Sequence, residues 1–217
     1  MRWARGSAGE LEAAPEPADL VPTLSFLAVT APALVLGSTQ AVEDVDLARA
    51  RGDGVEVLRR RSGGGAVLLR PGEVLWADVF VPAGDPLWNA DVGRAVHWLG
   101  QAWAGALCSL GLDPAWHSGG SVRTEWSTKL CFAGIGPGEV TLGGRKVIGI
   151  SQRRTRAGAR FQCAALLESD PARAVALLDL GDAERDRAVR HVSSFSAGVD
   201  LAPGELERAL VEQLARR

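Results

Sequence analysis

The segment Gly143-Gly144-Arg145-Lys146-Val147-Ile148-Gly149-Ile150-Ser151-Gln152-Arg153-Arg154 decides the fold class of this chain. Its two glycines separate two alternating runs, 139–142 and 146–152, which is the pattern of a β-hairpin closed by a tight turn. Further strands are predicted at 33–36, 55–60, 66–69, 74–81 and 160–167, where short apolar or alternating runs are bounded by turn residues. These runs predict a mixed, mainly antiparallel sheet.

Helices are predicted mainly in the middle and at the end of the chain. The clearest one covers 89–110, where apolar residues recur at steps of three and four. Shorter helices are predicted at 41–50, 171–178, 183–190 and 203–215. The chain is therefore predicted to be an α+β protein with helices packed on the sheet. Residues 1–22 are predicted to be an N-terminal extension, and residues 23–217 a single domain.

The composition excludes several classes of protein. With 217 residues, 47% hydrophobic and 23% charged, the chain can bury a sizeable core as one domain. A net charge of −2 argues against a dedicated nucleic-acid binder. No apolar run approaches the roughly 20 residues that span a bilayer, so no membrane partner is expected. Three widely spaced cysteines fit a reducing cytoplasm and give no zinc pattern.

A glycine-rich segment, Arg59-Arg60-Arg61-Ser62-Gly63-Gly64-Gly65-Ala66-Val67, joins two predicted strands. Successive N–H groups in such a loop can form a nest that binds an anion, and the arginines before it add donors for phosphate or carboxylate. It is not a Walker loop, because no Gly-Lys-Ser/Thr follows. The alternative interpretation is a flexible hairpin with its arginines in solvent.

Lysine is scarce in this chain. Of its 24 basic residues only Lys129 and Lys146 are lysines, and the abundance of arginine is explained by a GC-rich coding bias. A lysine that survives in such a background is more informative than usual. Lys146 opens an apolar strand and is predicted to project from the sheet edge into a cleft, where it would present a compact charge to a phosphoryl or carbonyl oxygen. The alternative is an ordinary surface lysine.

The glycine-rich loop and the lysine hairpin together resemble the lipoate–protein ligase and octanoyltransferase family, which also includes biotin–protein ligases. The segment 33–40 is similar to that family's strand-Gly-x-x-Gln motif, and the resemblance covers roughly residues 31–200. It implies the catalytic fold of this family, which is like that of class II aminoacyl-tRNA synthetases. It also implies the transfer of a lipoyl or octanoyl group to a lysine of a lipoyl carrier domain. Such domains occur in 2-oxoacid dehydrogenases and in the H-type protein of glycine cleavage.

The resemblance also assigns roles to residues. Ligases of this family make acyl-AMP from the free acid and ATP, with Mg²⁺, before they acylate the carrier. Lys146 would hold the acyl carbonyl and the α-phosphate. The residues implied to line the acyl and adenylate cleft are Arg60, Ser62, Gly63, Gly64, Gly65, Ala66, Gly149, Ser151 and Gln152. The sequence contains no obvious cluster of carboxylates for the metal, so its ligands stay unknown at this point.

Two features depart from the family's ligases. The stretch 161–166 lacks the His-Gly pair that ligases usually carry on the strand after the lysine. The 217 residues also leave no room for the C-terminal accessory domain of many ligases, which could instead be a separate subunit. A lipoate–protein ligase remains the first expectation, because the loop reads Gly-Gly-Gly-Ala-Val as in ligases.

Cys131 supports a second interpretation. Certain octanoyltransferases of this fold resemble the segment 130–133 and use that cysteine to carry the acyl group from acyl carrier protein as a thioester. A thiolate near Lys146 and the arginines 59–61 would be more reactive than a free thiol. A third interpretation is a non-catalytic protein of the same fold that binds a lipoyl or adenylate ligand. The other cysteines, Cys108 and Cys163, are expected in the core.

Overall fold

The computed structural model describes residues 1–17 and 19–217. The strands are β1 (Arg2–Gly6), β2 (Thr23–Val29), β3 (Ala33–Leu36), β4 (Glu56–Arg59), β5 (Val67–Leu69), β6 (Val74–Pro82), β7 (Pro114–Trp116), β8 (Val140–Leu142), β9 (Arg145–Arg154) and β10 (Gly158–Leu166). The helices are α1 (Ala8–Ala13), α2 (Leu47–Gly52), α3 (His97–Ser109), α4 (Pro171–Ala176), α5 (Asp182–Phe195) and α6 (Pro203–Leu214). Short 3-10 turns cover Val42–Asp44 and Cys131–Ala133.

The strands form two sheets. The larger has the order β1-β2-β6-β10-β9-β8-β7, and the smaller has the order β4-β3-β5. In the larger sheet β1 and β2 run parallel, and the remaining neighbours are antiparallel. The predicted α+β class with a mainly antiparallel sheet is therefore confirmed.

The predicted hairpin of β8 and β9 is present. Gly143 and Gly144 have φ angles of 55° and 77°, and two successive left-handed residues are what a primed two-residue turn requires. β9 lies between β8 and β10 in the sheet. The prediction that Lys146 projects from a sheet edge is therefore wrong, because Lys146 is paired with Thr141 of β8 on one side and bridged to Ser196 on the other.

The main core lies between one face of the larger sheet and two helices, α3 and α6. Its fully buried side chains include Leu99, Trp103, Phe161, Leu206 and Leu210. Burial of large apolar side chains contributes about 1.5–3 kcal/mol each, so this layer holds the two helices on the sheet.

Helix α3 begins at His97, eight residues later than the apolar spacing predicts. The Asn89 side chain accepts a hydrogen bond from the N–H of Asp91, and Asp91 in turn accepts from the N–H groups of Gly93 and Arg94. Such local bonds offer the backbone an alternative to helix, so they delay the start of α3.

The other face of the larger sheet is covered by the small sheet and by α1. Leu11 of α1, Leu27 of β2, Val35 of β3, Leu69 of β5 and Trp76 of β6 form one buried cluster there. The residues predicted to be an extension thus supply an edge strand, β1, and a covering helix whose N-terminus is closed by a capping box. The space between the two sheets contains the inner pocket described below.

Cys108 is exposed on α3, so the expectation of a buried side chain is wrong at this position. Leu99, Trp103 and Leu107 form the apolar face of α3, and Cys108, the residue after Leu107, faces the solvent.

Among the described residues, no helix is both long and apolar enough to cross a bilayer.

Candidate active site

The Lys146 ammonium is enclosed by acceptors from one segment of chain. Its Nζ donates to the carbonyl oxygens of Cys131 at 2.8 Å and Gly134 at 3.2 Å, and it lies 2.6 Å from Oε2 of Glu139. Only 2% of the residue is exposed. A buried ammonium is stable only when it is paired and hydrogen-bonded, and these contacts meet that condition.

Glu139 holds this lysine in place. Besides Lys146, its carboxylate accepts hydrogen bonds from the N–H of Gly136 at 2.6 Å and of Ile150 at 3.1 Å. In the sequence, Glu139 is only the first residue of a predicted strand, and nothing there indicates this role. The hairpin pairs Lys146 with Thr141 and not with Glu139, and the bulge between Val140 and Thr141, which changes the register before Glu139, is not visible in the sequence.

Cys131 lies beside the lysine at the start of the second 3-10 turn. Its Sγ is 3.5 Å from Nζ of Lys146. The turn is tied to the glycine-rich loop, because the N–H of Cys131 donates to the carbonyl of Ala66. Gly149 leaves the space that the thiol occupies, since a Cβ at this position would lie 3.2 Å from Sγ.

The charge of Lys146 is maintained by its neighbours. Burial alone lowers the pKa of this ammonium, but the facing Cys131 sulfur and the Glu139 carboxylate more than offset that effect, so the net pKa of Lys146 is raised. Lys146 therefore places a positive charge beside the Cys131 sulfur.

Arg60 shapes the glycine-rich loop from behind. Its guanidinium donates to the carbonyl oxygens of Val35, Gly63 and Gly65, and burial lowers its pKa without removing its charge. Its Nε is buried without a hydrogen-bond partner. The Arg60 side chain therefore supports the loop through backbone carbonyl oxygens, and it also borders the inner pocket. The resemblance, by comparison, implies that Arg60 lines the acyl and adenylate cleft directly.

A chain of polar side chains crosses the region between the two sheets. Oγ of Ser62 lies 2.9 Å from Oγ of Ser151 and donates to Oε1 of Gln162 at 2.7 Å. Nε2 of Gln162 donates to Oε2 of Glu12, which comes from α1 and is buried. Gln162 and Glu12 are not among the predicted site residues, because nothing local in the sequence shows that α1 reaches this far.

Two cavities meet at Cys131. An open groove is lined by Gly63–Gly65, Lys146 and Gln152. An inner, mostly apolar pocket lies between the sheets; its apolar lining residues are Val35, Val67, Leu69, Trp76, Gly149 and Ala164. Cys131 and Ser151 line both cavities. A group bound to the sulfur could therefore extend into the pocket while the groove remains open to a second molecule.

The remaining predicted residues lie around this junction. Nε2 of Gln152 donates to the carbonyl of Val92 at the groove rim. Ala66 is buried behind the loop, and its N–H donates to the carbonyl of Lys129. Cys163 is buried in the main core, as expected, and burial raises the pKa of its thiol to about 12. Within residues 1–17 and 19–217, no three His, Cys, Asp or Glu side chains are grouped in a way that could hold a metal.

The close approach of Gly65 to the cysteine turn yields a prediction. A Cβ on Gly65 would lie 2.7 Å from the backbone of Leu130 and 2.9 Å from the N of Cys131, whereas a Cβ on Gly63 would meet nothing within 4 Å. We expect Gly65→Ala to lower the free energy of unfolding by about 1–3 kcal/mol, because backbone must move. Gly63→Ala, the matched control, should change it by less than about 0.5 kcal/mol. Urea denaturation of both variants measures the difference, and equal stabilities would contradict the packing described.

The sequence model of the lipoyl protein ligase A/B catalytic domain matches residues 14–214. The chain belongs to this family. Its members are enzymes, so the pairing of Lys146 with Cys131 at the junction of two cavities lies in the catalytic domain of an enzyme family. The family predicted from the two sequence motifs is confirmed.

Two octanoyltransferases named LipM are similar in sequence to this lipoyl protein ligase A/B domain. The one from Moorella thermoacetica is 35% identical over 135 residues, a match that covers 61% of this chain and 49% of that protein. The one from Clostridioides difficile is 24% identical over 205 residues, covering 90% of this chain and 75% of that protein. The chain thus matches about half the length of the first of these relatives.

A solved structure confirms the fold. The bi-partite lipoate protein ligase of Thermoplasma acidophilum, studied with its E2 lipoyl domain, superposes with a TM-score of 0.73 and 21% identity. The match covers 90% of this chain and 70% of that chain. The predicted catalytic fold of lipoate ligases is therefore confirmed for this lipoyl protein ligase A/B domain.

Proposed function

We propose that this protein is an octanoyltransferase that carries the acyl group on Cys131 and delivers it to a lysine of a lipoyl carrier domain. The observation that carries this proposal is the 3.5 Å contact between Sγ of Cys131 and Nζ of Lys146 at the point where the groove and the inner pocket meet. The similarity to two octanoyltransferases supports the same choice.

The geometry supports a two-step transfer. The thiolate of Cys131, which lies beside the Lys146 ammonium, attacks the carbonyl carbon of an octanoyl thioester such as octanoyl-acyl carrier protein. The new Cys131 thioester forms, the donor thiol leaves, and the proton lost from Cys131 ends on that thiol. The acyl chain lies in the inner pocket. The amine of the carrier lysine then enters through the groove and attacks the thioester, so an amide forms and Cys131 regains its proton.

The contacts of Lys146 are also the reason to prefer this reaction over the ATP-dependent ligation expected first. An ammonium has three protons to donate. In this site four acceptors surround it: two carbonyl oxygens, the Glu139 carboxylate and the Cys131 sulfur. Because these acceptors occupy its three protons, Lys146 would have to give up one of the contacts to bind an α-phosphate. Ligation through acyl-AMP, with ATP and Mg²⁺, and a separate accessory subunit remain predictions.

Incubation with two acyl donors tests the proposal. The protein is mixed with a lipoyl domain and with either octanoyl-acyl carrier protein or octanoate, ATP and Mg²⁺, and intact masses are followed. We expect the lipoyl domain to gain one octanoyl group from the acyl carrier protein without ATP. With no lipoyl domain present, the octanoyl mass should appear on the enzyme and map to Cys131.

The other outcomes distinguish the alternatives. Modification that requires ATP and leaves no acyl group on Cys131 would show a ligase. Absence of modification from both donors, with binding of octanoate retained, would show a non-catalytic binding protein. Cys108 serves as an internal control, since it is exposed yet lies on α3, outside both cavities.

A further inference from the structure

Three residues in a row form the floor of the inner pocket, and their side chains become larger with distance from Cys131. Gly149 of β9 is paired with Ala164 of β10, and Ala164 is paired with Trp76 of β6. Directly paired residues on antiparallel strands point to the same face. From the sulfur outward, the pocket floor therefore carries no side chain at Gly149, a methyl group at Ala164 and an indole at Trp76.

The length of this row fits an acyl chain. Gly149 lies next to the Cys131 sulfur, and Trp76 is two strands away. Two strand spacings amount to about 10 Å, which is the reach of an extended octanoyl chain. Opposite the row, Val35, Val67 and Leu69 of the small sheet form an apolar roof.

Trp76 is held rigidly at the far end. Its Nε1 donates to Oδ1 of Asp78 at 2.8 Å, and Asp78 is paired with Arg160. Behind the indole, Leu27, the partner of Trp76 on β2, is buried in the same cluster. The ring therefore cannot turn aside without breaking a buried hydrogen bond, which is costly.

We propose that Trp76 sets the length of the acyl chain that this enzyme accepts, by closing the pocket at the reach of an octanoyl group. This inference rests on the proposed function, because it takes the acyl chain to run from Cys131 along Gly149 and Ala164. It makes two opposite predictions. Removal of the indole should admit longer chains, and a larger side chain in the middle of the row should admit only shorter ones.

Two variants test the predicted directions of the change in acyl-chain length. Trp76→Leu should shift the preferred thioester from octanoyl toward decanoyl or dodecanoyl, and Ala164→Leu should shift it toward hexanoyl or butanoyl. We expect the ratio of kcat/KM for dodecanoyl over octanoyl to rise at least tenfold in Trp76→Leu, since one methylene in an apolar pocket is worth roughly 10–200-fold. The matched control is Trp98→Leu. It removes an indole from α3, where Trp98 packs against Phe161 on the opposite face of the sheet, and should leave the ratio unchanged.

A binding measurement separates failure of this inference from failure of the proposed function. Titration calorimetry with hexanoate, octanoate, decanoate and dodecanoate measures the pocket length without any transfer. If the native protein forms no acyl-enzyme but its affinity profile still moves to longer acids in Trp76→Leu, the proposed function fails and the length limit stands. If acyl transfer occurs and neither profile moves, or if Trp98→Leu moves it equally, the role of Trp76 is overturned.

Discussion

Lys146→Met is expected to abolish acyl transfer and to lower the free energy of unfolding by about 3–5 kcal/mol, the usual cost of breaking a buried ion pair. The substitution leaves the Glu139 carboxylate buried without its cation and deprives the carbonyl oxygens of Cys131 and Gly134 of a donor. Urea denaturation measures the stability, and transfer from octanoyl-acyl carrier protein to a lipoyl domain measures the activity.

A double variant separates the two effects. Lys146→Met combined with Glu139→Gln removes both charges, while the new amide oxygen can still accept from one of the two N–H groups, those of Gly136 and Ile150, that bond to different oxygens of the carboxylate. We expect most of the lost stability to return without any activity. Lys129→Met is the matched control, because Lys129 is the other lysine of the chain and its partly exposed pair with Asp44 contributes less than about 1 kcal/mol. An active Lys146→Met protein would remove the lysine from the mechanism.

Cys131→Ala is expected to lower the rate of octanoyl transfer roughly 10⁴-fold or more, as loss of a covalent nucleophile does in other enzymes. The thiol is only partly buried, and its hydrogen bond with Lys146 is long, at 3.5 Å. The free energy of unfolding should therefore change by less than about 1 kcal/mol. The same transfer assay, combined with urea denaturation, measures both quantities.

The other two cysteines provide controls of opposite kind. Cys108→Ala changes an exposed thiol on α3 and should leave rate and stability unchanged. Cys163→Ala removes a buried thiol from the main core and should lower stability. Transfer that survives Cys131→Ala, in particular transfer that depends on ATP, would refute the acyl-enzyme and support the ligase.

The sequence predicts the fold class because its strongest signals are local. The Gly143-Gly144 pair can adopt the left-handed φ angles of a primed turn, and it therefore predicts an antiparallel hairpin. The strands β1 and β2 are missed. β1 has the pattern of an exposed edge strand, with no apolar alternation to reveal it, and its pairing with β2 is parallel and not closed by a turn.

In the site, too, the residues within local sequence motifs are predicted, whereas those whose roles depend on distant parts of the chain are not. Lys146 and the glycine-rich loop are found because each lies in a recognisable segment. Glu139, Gln162 and Trp76 are missed, because their roles depend on which residues face each other across strands. The contacts that stabilise the buried Lys146 ammonium, with Glu139 and backbone carbonyls, are likewise not visible in the sequence.

The position of Glu12 bears on how this protein can be shortened. The match to the catalytic domain begins at residue 14, and trimming to that boundary would appear harmless. Such a truncated chain would lose the carboxylate that accepts from Gln162, the Leu11 side chain that covers the apolar cluster, and the whole of β1. Part of the wall of the inner pocket thus lies outside the stretch that sequence similarity marks as the domain, and shortened forms of the protein should keep their first thirteen residues.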